Sequence, residues 1–132
     1  MLTKTHEERT AAEEAQRYLE NARTILSEKA GKRDGQYADM KYVKMASGTA
    51  YSAALLILDE YLKQKEGNNY TKPKSIEDYK NRVRKYDKKL LGLLLEVYDE
   101  LHINGYYIGT LSYNTIQLGL TNVTTMLSYI SY

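Results

Sequence analysis

Residues 45–58 read MASGTAYSAALLIL and contain no charged side chain. Apolar and small residues recur in this stretch at spacings of three and four, which is the period of a helix. They form two neighbouring stripes, one with Ala50 and Ala54 and the other with Leu58. A helix that is apolar on two sides is contacted from two sides. The sequence therefore predicts a helix from about Gln36 to Lys65 that is the most buried of the fold.

The segment before this helix predicts another one, from about Thr5 to Ala30. Thr5 and Glu8 have the spacing of a capping box, in which hydroxyl and carboxylate satisfy early backbone N–H groups. Gly31 suits the left-handed position that follows a helix, so residues 31–35 are predicted to end it. The apolar stripe of this helix has alternating spacings of three and four and consists of Ala12, Ala15, Leu19, Ala22 and Leu26.

The C-terminal half predicts two more helices, after a loop that contains Pro73. Ser75 is a predicted N-cap, and the third helix is expected to continue from it to Asn104-Gly105. Helical periodicity then predicts a last helix from about Ser112 to Tyr129. The core stripe of the third helix is expected to contain Tyr79, Val83, Tyr86, Leu90, Leu93, Val97 and Leu101.

These four helices predict an all-α fold in one domain over residues 1–132. Because the connections are short, neighbouring helices are expected to run antiparallel in an up-down four-helix bundle. All fourteen aromatic residues are Tyr, which has an apolar ring and a polar tip. The sequence leaves open whether these tyrosines fill the core or line a groove.

Composition excludes several classes of chemistry. The absence of Cys rules out disulfides, thiolate catalysis and cysteine-ligated metal sites. The sequence contains no phosphate-binding loop, dinucleotide-binding fingerprint or nucleophile elbow. We therefore expect a non-catalytic protein with no cofactor and no metal.

The N-terminus and the net charge favour a cytoplasmic protein without a membrane partner. The first nine residues, MLTKTHEER, are charged and lack the apolar core of a signal peptide. The uncharged run 45–58 is shorter than the roughly 20 apolar residues that a membrane span needs. A net charge of +2 is too small to indicate nucleic acid or an acidic membrane surface by itself.

A basic block from Lys72 to Lys89 is the clearest charge feature, with eight bases and three acids. Arg82, Lys85 and Lys89 share one face if the third helix is continuous, and such a cluster can neutralise nucleic-acid phosphates. The alternative is an ordinary solvated helix face. Nucleic-acid binding is thus possible but not favoured.

The C-terminal thirty residues, 103–132, contain no Asp, Glu, Lys, Arg or His. An uncharged helix face often contacts other protein, so this segment predicts a self-association surface, with Thr121 and Thr125 as its interface residues. An exposed helix rich in Thr and Asn is the equally simple alternative. The favoured function is an interaction module, a homo-oligomer with a possible protein partner.

Carboxylates at two places suggest a weaker, enzymatic interpretation. Asp99 and His102 have the spacing that puts two metal ligands on one helix face. The other histidine is His6, and a site of this kind needs further ligands, so a metal site is not predicted. Asp59 ends an apolar run and is a candidate for a partly buried carboxylate with a raised pKa.

The middle of the chain resembles a family of small uncharacterised helical proteins from Bacteroides-type bacteria. The residues that carry the resemblance are Glu28–Lys32, Lys41–Ser47 and Thr49–Asp59, continuing through Asp87–Leu91 to Leu101-His102. It covers about residues 10 to 105 and implies no particular activity.

A more distant resemblance concerns the small-residue-rich helix that ends in Ala54–Asp59, which is similar to HEPN domains. These helical bundles occur in toxin–antitoxin pairs and RNA-cleaving enzymes. Catalytic members have an arginine followed by four to six residues and a histidine, and neither His6 nor His102 is preceded by arginine at that spacing. The resemblance therefore implies a non-catalytic binding or partner role.

Overall fold

The computed structural model describes Thr5 and residues 8–130. Within this part of the chain the fold is all-α, as predicted, with five α-helices rather than four. The helices are α1 (Ala11–Ile25), α2 (Met40–Glu66), α3 (Ile76–Tyr86), α4 (Lys88–Val97) and α5 (Tyr113–Met126). A π-helical turn, Leu26–Ala30, continues α1, and a π-helix, Tyr98–Ile108, continues α4. Two 3₁₀ turns (Gly67–Asn69 and Leu127–Tyr129) and a hairpin of β1 (Lys32–Arg33) and β2 (Gln36–Tyr37) complete the fold.

Helix α2 forms the centre of the core, which confirms the interpretation of its uncharged stretch. It packs against α1 on one side and against the π-helix on another, and it also contacts α5. Ala46, Ala50 and Ala53 are fully buried because their small side chains let neighbouring helices approach closely. Met40, the first residue of α2, is by contrast exposed.

The predicted start of the first helix is wrong, because α1 begins at Ala11. Thr10 forms the capping box instead: its Oγ1 accepts from Glu13 N at 3.1 Å, and Glu13 Oε1 accepts from Thr10 N at 3.1 Å. The Thr10-Glu13 pair directly precedes the buried stripe, which explains why it begins the helix. Thr5 and Glu8 make only a local turn, in which Thr5 N donates to Glu8 Oε2 at 3.2 Å.

The predicted start of the second helix is also wrong, since a hairpin occupies its first residues. Asp34 and Gly35 have φ of 55° and 79°, the positive values that a two-residue type I′ turn requires. This turn pairs Lys32 with Tyr37 in the antiparallel ladder. Helix α2 then begins at Met40, capped by Asp39, whose side chain accepts from Lys41 N.

The predicted third helix is correctly capped by Ser75 but is interrupted at Asp87. Asp87 has an extended backbone, and its side chain accepts from Leu90 N at 2.9 Å, so it is the N-cap of α4. An aspartate at this position stabilises a new helix start, which divides one predicted helix into two. Tyr86, the residue before the break, is exposed and lies outside the core stripe in which it was expected.

The helical chain continues through Asn104-Gly105, where an end was predicted. Gly105 is buried in the π-helix, and a side chain there would collide with Ser47 of α2. Gly105 therefore allows close packing of the two helices and does not end the helix. The π-helix ends instead at Gly109, which is in the left-handed conformation at φ 76°.

The last helix agrees with its prediction. Ser112 caps α5 by accepting from Thr115 N at 3.2 Å, and a 3₁₀ turn continues it to Tyr129. Helix α5 packs against α4, the π-helix and α2. No helix in the described part of the chain combines the length and the apolar character that crossing a bilayer requires.

Candidate functional site

The principal concave feature is a pocket of about 680 Å³ between α1, α2 and the π-helix. Ligand pockets in proteins commonly have volumes of about 300–1,000 Å³, so this one is of a suitable size for a small molecule. We call it the aromatic pocket. The residues that line it are Tyr18, Asn21, Lys44, Met45, Gly48, Thr49, Tyr51, Ser52, His102 and Tyr106.

Aromatic rings form one wall of this pocket. Tyr98, His102 and Tyr106 are four residues apart on the π-helix and stack in a column, with centroids separated by 5.0 Å and 5.9 Å. Tyr51 of α2 contacts the same column, its centroid 4.7 Å from that of His102. Stacking within the column covers His102, so the wall offers an occupant ring edges and the half-exposed ring of Tyr106, which favour edge-to-face or stacked partners.

Gly48 explains how the column fits against α2. A Cβ atom at this position would lie 3.0 Å from Cδ1 of Tyr106, so any larger residue would require the tyrosine ring to move away from the α2 backbone. The ring of Tyr106 remains half exposed at the pocket entrance. Gly48 on α2 and Tyr106 on the π-helix together therefore determine the shape of the pocket entrance.

The polar side chains described at the wall of the aromatic pocket are neutral or positively charged. Thr49 and Ser52 donate their hydroxyl hydrogens to backbone carbonyls of α2, which leaves their oxygens as acceptors. Burial raises the pKa of Tyr51 to about 12, with a smaller contribution from Tyr98. Tyr51 is therefore a protonated phenol at neutral pH. Lys44 is the one cation among the described lining residues, and none of these residues is a carboxylate.

Sequence reasoning did not identify this pocket. His102 was considered only as a metal ligand, and the structure places its ring between tyrosines while Asp99 is exposed. The signal was present in the repeat Tyr98-x₃-His102-x₃-Tyr106. Residues four apart share a helix face, but this spacing does not reveal how α1 and α2 pack beside the rings to form a pocket.

Asp59, the other carboxylate considered, has structural partners. Its Oδ1 accepts from the hydroxyl of Tyr79 at 2.6 Å, and its Oδ2 lies 3.3 Å from Lys72 Nζ. The pKa of Tyr79 is strongly raised. Burial is the main cause, and the hydrogen bond to Asp59 is the second. Asp59 thus connects α2 to α3 and the loop before it.

The basic block is divided between two helices. Arg82 and Lys85 are on α3, whereas Lys89 is on α4, because the break at Asp87 ends the helix that was expected to carry all three. The single continuous helix from which the shared face was inferred is therefore not present between Arg82 and Lys89. Lys85 and Lys89 are exposed.

Arg82 is largely occupied by contacts within the protein. Its guanidinium lies 2.6 Å from Glu66 Oε1 and 3.3 Å from Asp78 Oδ2, and it donates to the carbonyl of Thr71 at 2.6 Å. The hydrogen bond with Glu66 is the largest cause of a raised pKa of Arg82. Since its charge is already paired, this arginine has little left to offer a phosphate.

Thr121 and Thr125 are exposed on α5, as an interface would require. Leu118 lies one turn before Thr121 on the same face and is 52% exposed. Thr125 Oγ1 donates to the carbonyl of Thr121 at 3.1 Å, and Ser128 Oγ donates to that of Thr125 at 2.8 Å. These hydroxyls are satisfied by their own helix, so the methyl groups of the threonines are free to make apolar contacts.

Comparison with known proteins identifies the family. Residues 10–132 match the family model described as "Domain of unknown function (DUF5618)". The solved structure of a protein of unknown function from Dyadobacter fermentans is similar, with 39% identity, a TM-score of 0.79 and coverage of 90% of this chain and 91% of that chain. No curated protein matches.

The expected family without an assigned function is thus confirmed, whereas the Bacteroides-type origin and the HEPN likeness stay predictions. The match covers the pocket, the basic block and α5 alike. On this match, the chain belongs to the DUF5618 family of domains of unknown function.

Proposed function

We propose that this chain is a non-catalytic interaction module that associates with a second copy of itself. One observation carries the proposal: five of the nine large apolar side chains that are exposed in the described residues lie in the uncharged segment 103–130. They are Tyr106, Tyr107, Ile108, Leu111 and Leu118. Concentrated exposed apolar surface is typical of interaction sites.

The most exposed part of this segment is the end of the π-helix. Tyr107 and Ile108 are 73% and 56% exposed. Met40 of α2 lies beside them, because its Cγ is 2.5 Å from the position that a Cβ of Gly109 would occupy. We call Met40, Tyr106, Tyr107 and Ile108 the apolar tip. Two secondary-structure elements contribute to it, so it is a surface rather than a single protruding side chain.

The absence of charge favours a second copy as the occupant. In a two-fold symmetric dimer each surface meets itself, so a charged face would oppose its own charge. The segment 103–130 contributes no charged side chain to such a contact, and a cation that lies beside the apolar tip is Lys44, next to Gly109. The exposed face of α5, with Leu118, Thr121 and Thr125, belongs to this uncharged segment. It is the second candidate surface for self-association.

Light scattering coupled to size-exclusion chromatography tests the proposal. We expect the wild-type protein to elute as a dimer at micromolar concentration. If the apolar tip is the interface, the double variant Tyr107→Glu/Ile108→Glu is expected to be monomeric. If the α5 face is the interface, the double variant Thr121→Glu/Thr125→Glu is expected to be monomeric instead. Lys85→Glu/Lys89→Glu is the matched control, because it adds two acids to an exposed surface outside the uncharged segment.

Circular dichroism should show that every variant remains folded. A wild-type monomer over the whole accessible concentration range, or a dimer that survives both double substitutions in the uncharged segment, would contradict the proposal. Nucleic-acid binding stays the alternative. Its sign would be excess absorbance at 260 nm that co-elutes with the wild type and is lost in high salt and in the Lys85→Glu/Lys89→Glu variant.

A further inference from the structure

We propose that the aromatic pocket binds a small planar aromatic anion, such as an aromatic carboxylate. This site is separate in function from the self-association surface, although Tyr106 borders both. The proposal depends on three features of the pocket: aromatic rings at its wall, a single cation for which the described residues provide no ion pair, and polar side chains that make no hydrogen bond within the described part of the chain.

The first feature is the column of rings. His102 lies between Tyr98 and Tyr106, and Tyr51 approaches it from α2 at a centroid distance of 4.7 Å. His102 is covered by Tyr98 and Tyr106, so a flat ring that enters the pocket can meet the edge of His102 and the half-exposed ring of Tyr106. An aliphatic ligand would fill the volume but would not use these aromatic contacts.

The second feature is Lys44, which is half-buried at the pocket wall. The described residues provide no ion pair for its ammonium group, in contrast to Lys72 and Lys80, which pair with Asp59 and Glu77. Its Cε is 2.8 Å from the position that a Cβ of Gly109 would occupy, so that glycine leaves room for the lysine stem. With Lys44 present and no carboxylate among the described lining residues, an anion in the pocket would meet a cation and no opposing acid.

The third feature is unused hydrogen-bonding capacity. The imidazole of His102 and the amide of Asn21 make no side-chain hydrogen bond within the described part of the chain, and both line the pocket. The phenol of Tyr51 keeps its proton at neutral pH and is a donor. A carboxylate needs donors as well as a cation, and a hydrogen bond to a charged group stabilises more than one between neutral groups.

Isothermal titration calorimetry with three aromatic carboxylates and their amides tests this inference. The probes are benzoate, 4-hydroxybenzoate and indole-3-acetate, each compared with the corresponding amide, which keeps the ring and removes the charge. We expect at least one carboxylate to bind, and its amide to bind about tenfold more weakly or worse, since hydrogen bonds to charged groups contribute about 1.5–3 kcal/mol.

Three variants assign any binding to the pocket. Lys44→Met keeps most of the side-chain volume and should weaken carboxylate binding by about tenfold, the loss expected for one charged hydrogen bond. Thr49→Trp should abolish binding by filling the pocket. Lys85→Met is the matched control, because it removes an exposed lysine elsewhere, and it should bind like the wild type.

Thermal melts should first show that each variant is folded. Failure of all three carboxylates to bind at millimolar concentration would overturn the proposal, as would equal binding of acid and amide. Unchanged affinity in both Lys44→Met and Thr49→Trp would overturn it as well, because the binding would then lie outside the pocket.

Discussion

Helix α2 and the π-helix meet in two different ways within a short distance. At Ser47 and Gly105 the two backbones approach so closely that a methyl group on Gly105 would collide with Ser47. Near Tyr51 and His102 the same two helices are separated by ring side chains, and the aromatic pocket opens beside them. The closed contact should respond strongly to changes in volume, whereas the open pocket should not.

The difference shows how side-chain size determines the distance between helices. A glycine opposite a serine allows backbone contact, while rings of tyrosine and histidine hold the helices apart. Stability therefore depends on the first region, and binding capacity on the second. Five predictions, in order of decreasing effect, test this division.

The largest effect is expected in the core, at Leu101 of the π-helix. This residue is fully buried, and its Cδ2 is 2.6 Å from the position that a Cβ of Gly119 in α5 would occupy. Leu101→Ala should lower the free energy of unfolding by about 2–5 kcal/mol, through lost burial and the resulting cavity. Urea denaturation measures this loss. Leu118→Ala, on the exposed face of α5, should change it by less than about 0.5 kcal/mol.

Gly105→Ala tests the closed contact directly. The added methyl group should force α2 and the π-helix apart and lower the free energy of unfolding by about 1–3 kcal/mol. Gly92→Ala is the matched control: its Cβ would meet nothing within 4 Å, so the same substitution should stabilise the helix by about 0.5–1 kcal/mol. Effects of the same sign at both sites would contradict this account of Gly105.

Ser47→Ala should stabilise the protein. The Oγ of Ser47 is buried and has no hydrogen-bond partner among the described residues. Removing it should raise the free energy of unfolding by about 1 kcal/mol, at the low end of the cost of an unsatisfied polar group. Chemical denaturation of both proteins measures the difference, and a less stable Ser47→Ala protein would indicate a partner that Ser47 uses in solution.

Glu100 should make stability depend on pH. Glu100 is buried against α5, and burial raises its pKa above 4.5. The hydrogen bond that Asn122 Nδ2 donates to Glu100 at 2.9 Å lowers this pKa only in part, and the negative charge of Glu96 raises it further. Between 4.5 and its higher folded pKa, the folded state binds more protons than the unfolded one, so stability falls as pH rises through this interval. Glu100→Gln should reduce this loss of stability with rising pH, which melting temperatures measured from pH 4 to pH 8 would reveal. A pH dependence equal to that of the wild type would contradict the assignment to Glu100.

The smallest effect is expected in the aromatic pocket. Asn21→Ala removes an exposed side chain that makes no hydrogen bond within the described part of the chain. Its free energy of unfolding should stay within about 0.5 kcal/mol of the wild type. Urea denaturation under the same conditions makes the comparison, and a loss above about 1 kcal/mol would mean that this side of the pocket is packed and not open.

The sequence predicted the elements better than their boundaries. The uncharged stretch 45–58 identified the central helix, Ser75 was recognised as a cap and Ser112 as the start of the last helix, because these signals depend on neighbouring residues alone. The starts at Thr5 and Gln36 were misplaced because competing local signals, the Thr10 box and the Asp34-Gly35 turn, were stronger. Asp87 was overlooked as a cap because the apolar spacing continues across it.

The candidate sites were less predictable, because each depends on residues far apart in the chain. Pairing of Arg82 with Glu66 joins two helices, and no local pattern reveals that the arginine is occupied. The interface residues Thr121 and Thr125 are exposed as expected, and their role in association stays a prediction. The more exposed apolar tip was missed because Met40 comes to lie beside Gly109, at the end of the π-helix, only after folding.

The sequence by itself determined that the fold is helical, that α2 is central and that the C-terminal segment is uncharged, since these follow from periodicity and composition. Only the tertiary structure decided that Gly105 permits a backbone contact and that Tyr51, His102 and Lys44 surround one pocket. The physical reason is that local signals act between residues three or four apart, whereas contact distances between helices are set by the side chains of both partners.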